Sequence, residues 1–87
     1  MEFCEGMVVR STAGRDKNRF YVIVALEADR IKIADGKRHL LCKAKAKNAK
    51  HLVKTNTVVS LSENRTDKKL RALLHPFNYG EQAVSID

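Results

Sequence analysis

A run of seven apolar residues, Phe20–Leu26, most constrains the fold of this chain. The run is rich in β-branched and aromatic residues and is too short for a typical helix, so it predicts a well-buried β-strand. It is also far shorter than the roughly 20 residues that a membrane-spanning helix needs. We therefore expect a protein that folds around this strand, has no membrane association and resides in the cytoplasm.

Short segments on both sides of this run also have the pattern of strands. Residues 6–11 are largely apolar and end in a polar turn, and residues 30–34 alternate charged with apolar side chains. A turn signal at Asp35-Gly36 precedes residues 39–42, the predicted fourth strand, and residues 57–61 are the predicted fifth. Five short strands with tight connections indicate a small, mainly β protein that forms a closed or half-closed barrel.

The pattern changes after residue 63, where an amphipathic helix is predicted. Four apolar residues follow the i, i+3, i+4, i+7 spacing of one helix face: Leu70, Leu73, Leu74 and Phe77. Thr66 is a suitable N-cap, and Pro76 is predicted to end the helix. At 87 residues one domain is expected, with the barrel over residues 1–63. Residues 64–87 then supply a short C-terminal helix and a tail that pack on or beside the barrel, and the helix is expected to cover an open end of it.

Positive charge dominates the composition, with 17 Lys and Arg against 10 Asp and Glu and a net charge of +7. This balance indicates anionic partners, of which nucleic acid comes first. Arg15, Lys17 and Arg19 alternate in the polar loop that precedes the buried strand, and a turn at Gly14 directs all three towards one surface. Asp16 is expected to brace a neighbouring arginine or to hold the turn.

A second basic segment, residues 43–54, contains no acidic residue and is predicted to be a long exposed loop. Its basic side chains are Lys43, Lys45, Lys47, Lys50, His51 and Lys54. Such a run repels itself unless an anion binds, and lysine contacts with phosphate are salt-dependent and weakly sequence-selective. Lys37 and Arg38, just after the turn at Gly36, extend the charge into a stripe if the barrel places the loops on one side.

Catalytic signals are weak in this sequence. His39 and Cys42, even with Cys4 and His51, match the spacing of no common zinc module. The segment after Gly14 lacks the glycines and the Lys-Ser/Thr pair of a phosphate-binding P-loop. We therefore predict a non-enzymatic protein without metal or cofactor and with two reduced thiols.

Few aromatic side chains are available to stack on nucleic-acid bases. The chain has three Phe and two Tyr, and most of these side chains are expected to be buried in the core. Tyr21 is the best candidate for an exposed ring. The sequence therefore favours recognition of a structured backbone over stacking on a single strand.

Residues 5–26, EGMVVRSTAGRDKNRFYVIVAL, resemble the KOW motif. In that motif a strand beginning Gly-x-Val-Val leads to a basic loop of the form Gly-x-Asp-Lys-Gly and then to a second hydrophobic strand. With IADGKRHLL and KHLVKTN, residues 3–61 are similar to KOW proteins related to large-subunit ribosomal proteins of the fourteen-e type and their small bacterial homologues. The resemblance implies an SH3-like barrel that binds ribosomal RNA through the KOW loop.

The matching positions are Gly14, Arg15, Asp16, Lys17 and Arg19 in the loop, and Lys50, His51 and Leu52 later in the chain. Asn18 replaces the second glycine of the motif, and asparagine tolerates left-handed backbone geometry better than most residues. Phe20 and its neighbours replace the small residues that usually follow, so the resemblance does not fix the loop conformation.

We therefore predict a monomeric, ribosomal or ribosome-associated protein that binds RNA, most notably large-subunit ribosomal RNA, with ribosomal proteins as further candidate partners. The predicted RNA-binding residues are Arg15, Lys17, Asn18, Arg19, Lys37, Arg38, Lys43, Lys45, Lys47, Lys50, His51 and Lys54. Two alternatives stay open. One is a protein-interaction module in transcription or translation regulation, which docks through the apolar rim and the leucines of the helix. The other is a binder of double-stranded DNA.

Overall fold

The computed structural model describes residues 3–79 and shows five antiparallel strands followed by one α-helix. The elements are β1 (Met7–Ser11), β2 (Phe20–Leu26), β3 (Ile31–Ala34), β4 (Lys45–Lys47), β5 (Leu52–Val58) and α1 (Asp67–Asn78). The strands form one sheet in the order β4-β3-β2-β1-β5. Within the described residues no ladder joins β4 to β5, so the sheet does not close. The predicted mainly β class is confirmed, and the architecture is consistent with a small SH3-like fold.

The central strand β2 is apolar throughout because both of its faces are covered. Tyr21 and Ile23 point into one cluster with Val9 of β1, while Phe20 and Val22 point into a second cluster on the opposite face. A strand that is buried on both sides has no alternation of polar and apolar residues. This explains the apolar character of residues 20–23, which are all buried, whereas Leu26 at the end of the strand is 44% exposed.

Helix α1 packs on the second of these faces, and the prediction that it covers an open end of a barrel is wrong. Leu70 and Leu74 are buried against Val8 and Val22. The rings of Phe20 and Phe77 lie 5.3 Å apart, centroid to centroid. The apolar side chains on this face of the sheet must be removed from water, and the amphipathic face of the helix does so.

The start of α1 is predicted correctly and its end is not. The Thr66 hydroxyl accepts a hydrogen bond from the Lys69 N–H at 3.1 Å, as expected of an N-cap. The helix continues past Pro76 to Asn78. Asn78 pairs with the backbone of Phe20, accepting from its N–H at 2.9 Å and donating to its carbonyl at 3.3 Å. This contact with the sheet stabilises the last turn of α1. The helix therefore continues past Pro76, although proline usually ends a helix.

The predicted fourth strand is also wrong. Residues 39–42 do not form a strand, and Leu41–Lys43 form a 3-10 turn. The cause is Asp35, whose Oδ1 accepts hydrogen bonds from the N–H groups of Lys37, Arg38 and His39, each at 2.9 Å. These bonds curl the chain after Gly36 and compete with strand formation.

The fourth strand, β4, instead lies within the lysine-rich segment that was predicted to be a loop. Lys45, Ala46 and Lys47 pair with β3 at the edge of the sheet. Lysine suits an exposed edge because its charge discourages pairing with other chains. The Lys-Ala alternation is therefore the pattern of an edge strand.

The fifth strand begins earlier than predicted and ends at Val58 rather than Leu61. Its ladder with β1 is interrupted between Met7 and Val9. There the hydroxyl of Thr55 donates to the Val8 carbonyl at 2.6 Å and replaces the missing backbone bond. The interruption bends the sheet.

Candidate nucleic-acid interface

The basic segments of the chain meet along one edge of the sheet. The Thr12 N–H donates to the His51 carbonyl at 2.9 Å, and the Lys47 ammonium donates to the Ala13 carbonyl at 3.0 Å. The loop between β1 and β2 therefore lies beside the segment around β4. We call residues 12–19, 35–39 and 43–51 together the basic rim.

Asp16 lies at the junction of the three segments of the basic rim. It is only 4% exposed. Its carboxylate faces the Lys45 ammonium at 3.2 Å, the His39 ring nitrogen at 3.4 Å and the Lys47 ammonium at 3.9 Å. Of the two expected roles of Asp16, the brace to a neighbouring arginine side chain is wrong, whereas its backbone does hold the turn, because the Asp16 carbonyl accepts from the Arg19 N–H at 3.0 Å. It holds one strand and two loops together by charge.

The environment of Asp16 stabilises its charged form. Burial alone would raise the pKa of this carboxyl, but the neighbouring polar groups of Lys45, His39 and Tyr21 favour the charged form, outweigh burial and hold the pKa below its usual value. In contrast, the pKa of the Tyr21 phenol is raised, mainly by burial and to a smaller extent by the negative charge of Asp16. Asp16 is therefore an anion and Tyr21 a neutral phenol at neutral pH.

This direction of shift predicts how stability depends on acid. A group whose pKa is lower in the folded than in the unfolded chain stabilises the fold above the unfolded value, about 3.9 for Asp. That contribution is lost as the pH falls through the folded pKa. We expect the free energy of unfolding, measured in urea at stepwise pH below 5, to fall more steeply for the wild type than for Asp16→Asn. Parallel curves would show that Asp16 is not held as an anion.

Tyr21 is fully buried, so its assignment as an exposed stacking ring is wrong. Its ring lies 5.6 Å from the imidazole of His39, centroid to centroid. The residue faces the same side of β2 as Ile23, and this register directs it into the core.

Two positions in the loop between β1 and β2 have left-handed backbone geometry. Gly14 has φ +77° and Asn18 has φ 70°, so both adopt the left-handed conformation. Arg10 donates to the Asn18 side-chain oxygen at 3.1 Å and helps to hold this geometry. Gly36, the second predicted turn glycine, also has a positive φ, and a side chain there would collide with the Asp67 carbonyl.

Most of the predicted RNA-binding residues face solvent. The exposed ones are Arg15, Lys17, Asn18, Lys37, Arg38, Lys43, Lys45, Lys50 and Lys54, while Arg19 and His51 are half-buried. Lys47 is 8% exposed and is bonded to the loop carbonyl of Ala13. Its assignment as an RNA contact is therefore wrong, because its ammonium is buried and makes a hydrogen bond within the protein.

Arg19 and Lys37 face a pocket between the rim and α1 that the sequence did not predict. The helix side of this pocket is formed by Lys68, Arg71, His75 and Tyr79. These positions follow the i, i+3, i+7, i+11 spacing of one helical stripe. That spacing is the signal by which they could have been found.

Other kinds of site have no counterpart in the part of the chain that the structure covers. Between residues 3 and 79 no cluster of three or more His, Cys, Asp or Glu is placed to hold a metal ion, and Cys4 and Cys42 are exposed free thiols. No helix in this range has the length and apolar character needed to cross a membrane. The predicted tail covers residues 78–87: Asn78 ends α1 and Tyr79 is its C-cap, whereas residues 80–87 lie outside the described residues.

Comparison with known proteins does not identify a relative. The chain matches no protein-family model and no curated protein. The KOW resemblance therefore stays a prediction from the sequence pattern.

Proposed function

We propose that this chain is a non-catalytic RNA-binding protein whose basic rim contacts the phosphates of a structured RNA. The observation that carries the proposal is the placement of opposite charges in the rim. The rim contains nine Lys and Arg residues and two acidic residues, Asp16 and Asp35. Both acids are buried and engaged in internal contacts. The charge that the rim presents to solvent is therefore almost entirely positive.

A surface of this kind favours a polyanion for a physical reason. The cations repel one another, and an RNA backbone relieves this repulsion while it releases its own condensed counterions. The rim contains no Phe, Tyr or Trp, and the neighbouring Tyr21 is buried. Contacts with phosphates position a protein on a structured RNA without reading its bases.

The KOW resemblance supports a narrower version of this proposal: a cytoplasmic protein, monomeric when free, that associates with large-subunit ribosomal RNA. Sucrose-gradient fractionation of a lysate, with the protein followed by antibody, tests this version. We expect co-migration with the large subunit at low salt and its loss at high salt. Migration with free proteins at both salt concentrations would reject the ribosomal assignment. The broader proposal of RNA binding would then depend on binding measurements with purified RNA.

Removal of two loop charges is expected to weaken RNA binding and its dependence on salt. In the double variant Arg15→Gln/Lys17→Gln, each lost phosphate contact lowers the slope of log K against log salt by about 1. We therefore expect a slope smaller by about 2 and an affinity lower by about tenfold or more at low salt.

The matched control is Arg65→Gln/Lys69→Gln, which removes one Arg and one Lys outside the rim. Fluorescence anisotropy of a labelled RNA hairpin, measured from low to high salt, compares the two variants. If both variants lose affinity and slope equally, net charge rather than the loop determines binding.

One observation favours a protein partner as a second candidate. The leucines expected to dock on such a partner are not available, since Leu70 and Leu74 are buried against the sheet. However, β5 lies at the edge of the sheet and exposes Val53 and Val58. A partner that adds a strand to this edge would form a complex that is insensitive to salt. Such a complex, without RNA affinity, would favour this candidate.

A further inference from the structure

A pocket of about 350 Å³ lies where α1 meets the basic rim. Its volume falls at the small end of ligand pockets, which range from about 300 to 1,000 Å³. The loop side contributes Arg19 and Lys37, and the helix side contributes the stripe that begins at Lys68. The pocket is thus built from two regions that are distant in sequence.

The walls of this pocket are strongly positive. Arg19, Lys37, Lys68 and Arg71 line it together with one acidic residue, Asp35. An oxygen of Asp35 already accepts three backbone hydrogen bonds. Arg71 donates to the Gly36 carbonyl at 2.7 Å, which anchors this side chain at the pocket wall. Arg71 is therefore held in place at the wall, where its guanidinium can meet an anionic group such as phosphate.

A flat aromatic surface lies beside these cations. Tyr79 is 54% exposed, and its ring centroid lies 5.1 Å from that of His75. The Arg19 guanidinium donates to the Tyr79 hydroxyl at 3.0 Å and lowers the pKa of this phenol. The Arg19 guanidinium carbon and the Lys37 ammonium lie over the ring, 5.6 and 5.7 Å from its centroid. Tyr79, not Tyr21, is therefore the exposed tyrosine ring beside these cations against which a base would pack.

We propose that this pocket binds a single unpaired nucleotide, with its phosphate at Lys68 and Arg71 and its base against Tyr79. A phosphate joined to a planar heterocycle combines the two features that the pocket offers, and single-stranded nucleic acid is commonly held by such pairs of contacts. The inference deepens the proposed function, on which it rests. The preferred ligand is then an RNA in which an unpaired nucleotide lies next to a double-stranded segment, and the basic rim contacts that segment.

Titration of the ¹⁵N-labelled protein with guanosine monophosphate, guanosine or inorganic phosphate tests the pocket without any RNA helix. We expect the monophosphate to bind more tightly than either part alone and to shift the amide resonances of residues 68–79, Arg19 and Lys37. Tyr79→Leu is expected to weaken binding about tenfold. Lys68→Gln should weaken it several-fold, whereas Lys69→Gln, which removes the same charge from the next helix position outside the pocket, should leave it unchanged. Equal affinity for phosphate and the monophosphate, or no shifts in the pocket, would overturn the inference.

Two RNA hairpins that differ by one bulged nucleotide separate this inference from the proposed function. We expect the bulged hairpin to bind more tightly, and Tyr79→Leu to remove the difference. Equal binding of both hairpins would reject the nucleotide site and keep the rim. Binding of neither hairpin would reject the proposed function, and the monophosphate titration would then decide on the pocket alone.

Discussion

Replacement of Asp16 by asparagine is expected to lower the free energy of unfolding by about 3 kcal/mol. The substitution keeps the size of the side chain, so no cavity forms. It removes the charge that faces Lys45, Lys47 and His39, and the Lys47 ammonium is almost completely buried. A buried cation without its partner is far more costly than an exposed one. The loss is a large part of the roughly 5–15 kcal/mol that stabilises a typical domain.

Urea denaturation of Asp16→Asn and of the control Asp29→Asn measures this loss. Asp29 is exposed in the turn between β2 and β3, and its replacement is expected to change stability by less than about 0.5 kcal/mol. Equal stability of the two variants would contradict the role of Asp16. RNA binding provides an independent readout under conditions in which Asp16→Asn stays folded. If net charge alone determined affinity, this variant would bind more tightly, whereas separation of the rim segments predicts weaker binding.

Truncation of Leu70 to alanine is expected to destabilise the protein by about 3 kcal/mol. Leu70 is fully buried between α1 and the face of the sheet that α1 covers. It belongs to the same cluster as Val8, Phe20 and Val22. The cavity that remains cannot collapse easily, because the strands behind it are fixed by their ladders. The cost therefore includes both the lost burial and the unfilled space.

Leu73→Ala is the matched control for this substitution. Leu73 is only partly buried against the same cluster, so we expect a loss of about 1 kcal/mol or less. Thermal and urea denaturation of both variants test the difference. Similar losses would mean that α1 does not pack on the sheet through Leu70. In that case the nucleotide pocket, which depends on the docked helix, would be undermined as well.

Features set by local sequence could be predicted for this fold. Phe20–Leu26 is the central strand with the predicted bounds, because a β-branched run of this length has few alternatives. Thr66 caps α1 as predicted, since capping involves only neighbouring residues. The fourth strand could not be placed in this way. The backbone N–H groups of residues 37–39 all donate to one carboxylate, Asp35, and the hydrophobic periodicity of the sequence does not predict these hydrogen bonds.

The candidate site shows the same division between local and distant causes. The basic character of the two loops is a property of composition and was predictable. The burial of Lys47 and Tyr21 depends on strand register, which determines the face that each side chain occupies. The pocket joins Arg19 to Tyr79 across 60 positions of the chain, and only the docking of α1 brings them together.

Equilibrium binding of the purified chain to a structured RNA hairpin, over a series of salt concentrations, tests whether the basic rim binds RNA through its charge. We expect measurable affinity at low salt and a linear fall of log K with log salt, with a slope of several units. We also expect a weaker slope for Arg15→Gln/Lys17→Gln and a preference for RNA over a DNA duplex of equal length. Absence of binding at low salt, or an affinity that does not change with salt, would show that the rim is not an RNA-binding surface.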